Sequence, residues 1–443
     1  MWAGSYLVWP SRWNVLGHIA LGFCLPAYII PVFLVDVLRY FDESLLSIYR
    51  NMLLVGASCY VGGLLLGARQ NIGVFSSPRL SFVGMTCEDF TRFVALRVKW
   101  LMILGLTGLA LSFYVMGFIP AFTEDPYTAK FFRGEYYESY RPVAALYRFS
   151  FYIVVALIPV ALVLWYLARR KRRLFLLLAI AGIVIIALTM TRGPAGRGVI
   201  IFLGILAARR RVFFLGYLVV VFGSYILGAA AYEILYSVFG FINFLLPYSR
   251  PETVWEIIAA GTTDIQDHVS FLDSFLGYGE YTYGRTFYGG LIPFRYQWNP
   301  SVWVLTLLTG GWNYSNPNEV VSGGLRLPPP LWGYAALGWP GLALVSFFSG
   351  LIWGVATRFA RTYVGQGSLL ASVVVLGLYG SLGLQLSQFY NLSYFPIPQI
   401  FCFVLLCYST KSVLRHGVAS ASLSGTSSAR YSIGPPLRAD SRR

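Results

Sequence analysis

Charged residues are scarce in this chain. They make up 12% of its 443 residues, hydrophobic residues make up 57%, and the mean hydropathy is +0.64. A soluble domain carries about a quarter of its residues as charges. The composition therefore excludes a water-soluble globular protein and predicts an all-α protein that crosses a membrane many times.

Cysteine and histidine are also rare, with five and three residues. No cysteine lies in the long hydrophilic segment after residue 232, so neither a disulfide framework nor a cysteine-ligated zinc site is predicted. The first apolar run has no small-residue cleavage site and is interpreted as an uncleaved span. A Walker phosphate-binding loop and a nucleotide-sugar cleft are both lacking, which suits a donor carried on a lipid.

About ten membrane spans are predicted from the apolar runs. They lie at 13–38, 45–68, 100–120, 149–167, 174–190, 198–208, 212–231, 331–357, 368–386 and 394–410. With the amino terminus inside, the cytoplasmic segments are 1–12, 69–99, 168–173, 209–211, 358–367 and 411–443. These segments hold 22 of the 34 Lys and Arg residues but only three of the 18 acids. The positive-inside rule thus predicts two cytoplasmic termini, and the net charge of +16 is no sign of nucleic-acid binding.

Four regions follow from this topology. Residues 1–231 hold spans one to seven, and 331–418 hold spans eight to ten. Between them, 232–330 form an extracytoplasmic loop, too long for a mere connector, whose apolar spacing predicts short amphipathic helices. The Ser/Arg-rich tail 419–443 is predicted to be disordered and to adhere to anionic lipid.

The segment Thr191–Gly198 is a candidate anion site. Arg197 lies twelve residues before Arg209, or about 18 Å along a helix. A hydrocarbon core is about 30 Å thick, so Arg197, and Arg192 with it, are predicted within the membrane's depth. Such arginines usually serve a ligand or an internal partner. The alternative is an ordinary turn whose arginines reach lipid phosphates.

Three glycines in this hairpin add to the hypothesis: Gly193, Gly196 and Gly198. They free the backbone to turn its N–H groups toward an anion, and a helix start would add its dipole.

The long loop supplies candidates for acid–base chemistry. Asp264, Asp267 and His268 have the spacing of one helix face. A metal site is one interpretation and a solvated helix surface is the other; no metal or cofactor is assigned. His268 is the only histidine predicted outside the membrane and can take a proton near neutral pH, although a lone histidine is more often structural.

Aromatic residues are dense in the same loop, especially from Gly277 to Gly290. Flat rings such as Tyr283, Tyr288 and Trp298 suit stacking against sugars. The alternative is the aromatic belt of any membrane protein.

Three stretches resemble one family. Tyr283–Pro300 is similar to a Tyr-Gly segment followed by an Ile-Pro-Arg and Trp-Pro element, Gly333–Gly341 to a returning span with glycine pairs, and Thr191–Gly198 to a Ser/Thr-Arg-Gly motif. These are features of the oligosaccharide repeat-unit polymerases, the Wzy-type O-antigen polymerases of the polymerase–ligase superfamily. The likeness covers residues 190 to 357.

The resemblance implies a C-type glycosyltransferase-like membrane fold in the bacterial inner membrane, with its active site facing the periplasm. The implied partners are undecaprenyl-pyrophosphate-linked oligosaccharide, membrane lipid and a chain-length regulator, and not nucleic acid. One lipid-linked glycan would pass to the terminal hydroxyl of another. The expected pyrophosphate ligands are Arg192, Arg197, Arg250, Arg285 and Arg295. The expected bases are His268, Asp267 and Glu280.

Three alternatives stay open. An O-antigen ligase would use the same architecture to transfer the glycan to lipid A core. Another C-type glycosyltransferase would use Asp36, Asp42 or Glu43 in or beside the first outer loop. A lipid-linked glycan transporter would need charges along several spans, whereas few lie inside the predicted spans.

Overall fold

The computed structural model describes most of the chain and is helical throughout the described part, without strands. The described residues are 4–18, 41–69, 87–167, 172–209, 213–221, 223, 264–291, 298–308, 327–364, 368–392 and 396–408. The predicted tail 419–443 and most of the predicted first span lie outside them.

The chain order of the helices is simple. They are α1 (Gly4–Val8), α2 (Glu43–Arg69), α3 (Cys87–Met116), α4 (Pro126–Lys130), α5 (Tyr136–Tyr140), α6 (Ala144–Leu167), α7 (Arg172–Ala187), α8 (Arg192–Arg209), α9 (Asp264–Tyr278), α10 (Arg285–Gly289), α11 (Pro300–Leu308), α12 (Pro329–Val364), α13 (Leu369–Ser387) and α14 (Ile397–Tyr408). Short 3-10 helices lie at Pro120–Phe122, Arg141–Val143 and Phe389–Asn391.

Five of the described helical stretches are long and apolar enough to cross a membrane. They are Glu43–Arg69, Glu88–Met116, Tyr136–Leu167, Pro329–Val364 and Leu369–Ser387. Each covers one predicted span, which supports a helical membrane protein. The full set of ten spans stays a prediction; α7, with 16 residues, and α14, with 12, are shorter.

Helices α2 and α12 touch backbone to backbone. A Cβ atom on Gly63 or Gly67 of α2, or on Gly350 or Gly354 of α12, would overlap a carbonyl oxygen of the facing helix. Small residues four apart are the usual device by which membrane helices approach closely, because no hydrophobic effect drives their association in lipid. This glycine seam fixes the two helices side by side.

Helix α12 is broken near its start. Leu337 (φ −146°) and Gly338 (φ 66°) are not helical. A Cβ on Gly333 would collide with the carbonyl oxygen of Gly341, although eight residues of continuous helix would separate them by about 12 Å. The first turns of α12 therefore fold back alongside the rest of the helix.

This reversal changes the start of the span predicted at 331–357, because residues before the break do not continue its axis. Only the part after the break runs on to Val364, whereas Pro330 returns to lie beside Gly56 of α2, near Ser346. Hydropathy could not reveal the reversal, since both arms of the fold-back are apolar.

The buried side chains form two main cores. The larger one joins α3, α6, α7, α8, the last turns of α12, α13 and α14. The second joins the start of α2 with α9, α11 and the fold-back of α12, and α10 lies at its margin through Phe287. The amphipathic pattern predicted for the loop is confirmed in α9, where Val269, Leu272 and Phe275 are buried, but Leu276 is exposed.

Segments predicted to be cytoplasmic meet in two places. The guanidinium of Arg97 in α3 donates to the carbonyl of Leu405 near the end of α14. That of Arg361 in α12 donates to the carbonyl of Val8, at 3.0 Å. Ends that the charge asymmetry assigns to one side of the membrane thus lie together.

Candidate functional site

The turn between α7 and α8 is closed by hydrogen bonds. The Thr189 hydroxyl donates to the carbonyl of Ile186 (2.6 Å), and the N–H of Ala121 donates to the carbonyl of Leu188 (3.1 Å). Met190 supplies the left-handed residue of the turn (φ 59°). The hairpin tip is therefore a fixed feature of the fold.

The hairpin's glycines do not form the predicted loop. Helix α8 begins at Arg192, so Gly193, Gly196 and Gly198 all lie within its first two turns. The glycines are therefore helical, and a helix start, which would add its dipole, lies at Arg192. That backbone N–H groups here face an anion stays a prediction. Gly198 also has a packing role, because a Cβ there would collide with the side chain of Ile158 in α6.

The contact between Gly198 and Ile158 fixes the depth of Arg197. At about 1.5 Å per residue, Ile158 lies about 21 Å from Ala144 and about 14 Å from Leu167, the two ends of α6. That helix belongs to a stretch apolar enough to span a membrane. Arg197 is thus level with the middle part of a candidate span.

Arg197 is exposed at this level of α6. Its neighbour Gly198 is buried against α6, whereas Arg197 is exposed. No described residue is its hydrogen-bond or ion-pair partner. An arginine inside a membrane is costly and is expected to pair, so this guanidinium is available to an anionic ligand.

Arg192 occupies the first position of the same helix. Positions 192 and 197 lie about 140° apart around a regular helix axis. The two positions therefore do not share a face of α8, and Arg192 is the one at the helix start, where the dipole favours an anion.

His268 lies wholly inside the second core. The Tyr49 hydroxyl in α2 contacts its Nδ1 atom at 2.8 Å. Asp267 lies beside it on α9, and the structure describes only the backbone there. His268 thus joins two elements far apart in sequence, and its burial separates it from any substrate that the described surface would receive.

Tyr49→Phe should lower the free energy of unfolding by about 1 kcal/mol, since it removes one buried hydrogen bond without changing the ring. Thermal unfolding in detergent would measure this. Tyr114→Phe is the control, because Tyr114 is 82% exposed. Equal effects of the two changes would mean that the bond to His268 adds nothing to stability.

Tyr283 holds a strained and exposed position. Thr282 and Tyr283 donate backbone hydrogen bonds to the carbonyls of Ala335 (2.8 Å) and Ala336 (3.1 Å), next to the break in α12. Tyr283 has a φ of 50° and its side chain is 69% exposed. A left-handed tyrosine costs roughly 1 kcal/mol or more, and such strain is found where a side chain must be held in place.

Other exposed groups lie next to Tyr283 in the chain and in space. Glu280, a predicted base, is exposed just before it. The rings of Tyr281 and Tyr283 meet edge to face at 6.5 Å. Tyr281, which belongs to the aromatic stretch Gly277–Gly290, and Trp339 are both exposed beside the break in α12. Trp339 was not among the predicted site residues, and only its place in the Gly333–Gly341 stretch could have indicated it.

Helix α10 brings two predicted site residues together. The guanidinium of Arg285 lies 4.9 Å from the centre of the Trp298 ring. A Cβ on Gly289 would collide with the Trp298 carbonyl, so the backbones touch here. The guanidinium of Arg285 covers one face of the Trp298 ring, and its N–H groups can still donate hydrogen bonds to a ligand. Tyr288, also on α10, is exposed.

The hairpin and the loop helices belong to different cores. The structure therefore brings Arg285 to Trp298 and Tyr283 to Tyr281, but does not pack either pair against Arg197. Arg250 and Arg295 lie outside the described residues.

The first outer loop was the alternative catalytic centre. Asp36 lies outside the described residues. The side chain and then the backbone N–H of Ser44 donate hydrogen bonds to Asp42, which lower the pKa of this carboxyl group. A lowered pKa makes Asp42 a weaker base than an ordinary aspartate.

No group of three or more His, Cys, Asp or Glu side chains that could hold a metal occurs in the described part of the chain. No protein-family model, curated protein or solved structure matches the sequence. The class that the fold supports is that of helical membrane proteins, with an arginine at the level of a candidate span that has no hydrogen-bond or ion-pair partner among the described residues.

Proposed function

We propose that this protein extends surface polysaccharide by joining lipid-linked oligosaccharides at the outer side of a bacterial inner membrane. The sugar–phosphate bond of a polyprenyl-pyrophosphate donor breaks, and a bond forms from that sugar to a hydroxyl oxygen of a second lipid-linked glycan. The hydroxyl proton passes to a base, and polyprenyl pyrophosphate leaves with its negative charge.

Arg197, which pairs with no residue in the described part of the chain, carries this proposal. A polyprenyl pyrophosphate keeps its phosphates at the membrane, within reach of a guanidinium that lies below the hairpin tip. As the bond to the sugar breaks, negative charge grows on the phosphate oxygens. A cation already in place, in a setting of low polarity, stabilises that charge more than water would.

In this proposal the acceptor glycan binds to the exposed side chains between Glu280 and Trp298. Tyr283, Tyr288 and the Arg285–Trp298 pair offer ring faces and a cation to a sugar chain. For the acceptor proton we favour Glu280 over His268, because Glu280 is exposed whereas His268 is buried. Arg192, Arg250 and Arg295 remain further ligands in this proposal.

The direct test is transfer by purified protein in vesicles. Polyprenyl-pyrophosphate-linked repeat units, with no other acceptor, should yield a ladder of longer lipid-linked glycans and one free polyprenyl pyrophosphate per bond formed. A single transfer to lipid A core and no ladder would identify a ligase. Movement of intact donor between leaflets without a new bond would identify a transporter.

Tyr283→Gly should lower the rate of glycan transfer without lowering the stability of the protein. Glycine adopts a positive φ without strain, so the unfolding temperature should stay unchanged or rise. Transfer should fall about tenfold, since one ring contact contributes up to roughly 1.4 kcal/mol. Tyr283→Phe is the matched control and should keep the rate. Unchanged transfer by the glycine variant would remove this ring from the acceptor site.

A further inference from the structure

A second cationic site lies at the opposite end of the glycine seam. A cavity of about 330 Å³ opens where α1 crosses the ends of α2 and α12, and it is lined by Leu7, Val8, Leu65, Ala68, Arg69 and Arg361. This volume is in the range of small-molecule sites. It is far along α2 from Tyr49, so it is separate from the loop segment proposed for the acceptor.

Two guanidinium groups face this cavity, and the described lining contains no carboxylate. Arg361 is held in place by its hydrogen bond to the Val8 carbonyl, which leaves most of its five N–H donors for a ligand. Arg69 has no hydrogen-bond or ion-pair partner among the described residues. The cavity therefore favours an anion with several acceptor oxygens.

The other four lining residues, Leu7, Val8, Leu65 and Ala68, have no hydrogen-bonding side chain, although the accessible surface of the cavity is mostly polar. The cavity lies at the ends of two helices that can each span a membrane, which is the level of the lipid phosphates of one leaflet. This position favours a phosphate carried on a lipid over one free in solution. A phospholipid would place its phosphate between the arginines and its glycerol and first methylenes against the leucines.

We infer that this cavity binds the phosphate of an anionic phospholipid in the leaflet that meets the Arg69 end of α2. Basic pockets between membrane helices are known to bind such headgroups. The bound lipid would join α1 to the glycine seam through its contacts with Leu7 and Val8 on α1 and with both arginines on the seam helices. This role is independent of glycan transfer.

The test is lipid retention by the full-length protein, counted by native mass spectrometry during titration with phosphatidylglycerol or phosphatidylcholine. Wild type should retain phosphatidylglycerol at least about fivefold more tightly, which is about 1 kcal/mol, the contribution of one arginine near an anionic membrane surface. Arg69→Gln should remove most of this preference. Arg50→Gln, an exposed arginine elsewhere on α2, should keep it.

Leu7→Trp is a second variant, designed to fill the cavity without changing charge. Leu7 is 69% exposed, so the variant should fold, and it should lose phosphatidylglycerol as Arg69→Gln does. Equal retention of both lipids by wild type would overturn the inference, as would equal losses in Arg50→Gln and Arg69→Gln. Displacement of the lipid by millimolar inorganic phosphate would assign the cavity to a soluble anion instead.

Discussion

Arg197→Ala should reduce glycan transfer by roughly 100- to 1,000-fold, the usual cost of removing one donor that stabilises developing negative charge. Arg197→Lys should fall between this variant and wild type, because lysine keeps the charge but not the planar fork. The measurement is the initial rate of ladder formation in vesicles. The loss should appear mainly in kcat, since the charge on pyrophosphate is greatest as the bond breaks.

The same substitution should leave the fold intact. Arg197 contacts no described residue through a hydrogen bond or ion pair, and an arginine at membrane depth costs about 2.5–3.5 kcal/mol by insertion scales. Arg197→Ala should therefore unfold at the same or a higher temperature.

Arg209→Ala is the matched control for Arg197→Ala. It removes the same side chain from the other end of α8 and should keep the rate within about twofold, in line with most exposed substitutions. Full-length ladders from the Arg197→Ala protein would contradict the proposed role. An equal loss of transfer in both variants would show a general effect of charge on insertion.

The level of Arg197 along α8 was predictable because it follows from the number of residues between Arg197 and Arg209. Once α8 is a regular helix, its rise fixes the distance from Arg197 to Arg209. The glycines, which the hypothesis used to free the backbone, are helical in the structure, and Gly193 and Gly196 have open space around them. Local composition could not decide between a loop and a helix that tolerates glycine.

Long-range contacts account for most of what the sequence left undecided. The sequence around His268 gives no sign that this histidine is buried, so it was a candidate base. Its buried contact is with Tyr49, 219 residues away in the chain. The break at Leu337 and Gly338 escaped the hydropathy pattern for a similar reason: its carbonyls are paired by Thr282 and Tyr283 from another segment. In a membrane, a broken helix needs such partners for its backbone, and hydropathy does not report them.

Gly63→Ala should destabilise the protein strongly, whereas the same change at the adjacent Gly62 should not. A Cβ on Gly63 would overlap the Phe347 carbonyl of α12, and a Cβ on Gly62 would meet nothing within 4 Å. A backbone carbonyl cannot move aside as a side chain can, so α2 and α12 would have to separate along the glycine seam. We expect a loss of roughly 3 kcal/mol, at the upper end for overpacked cores.

Gly62→Ala should gain up to about 1 kcal/mol from helix propensity, so two neighbouring glycines should respond with opposite signs. Unfolding by heat or denaturant in detergent would measure both. Gly350→Ala should repeat the loss from the facing helix, since a Cβ there would overlap the Tyr60 carbonyl. Equal responses at Gly62 and Gly63 would mean that the two helices do not touch as described. The fold-back of α12 packs against the same helix, so a separated seam should also release the Tyr283 segment and lower glycan transfer.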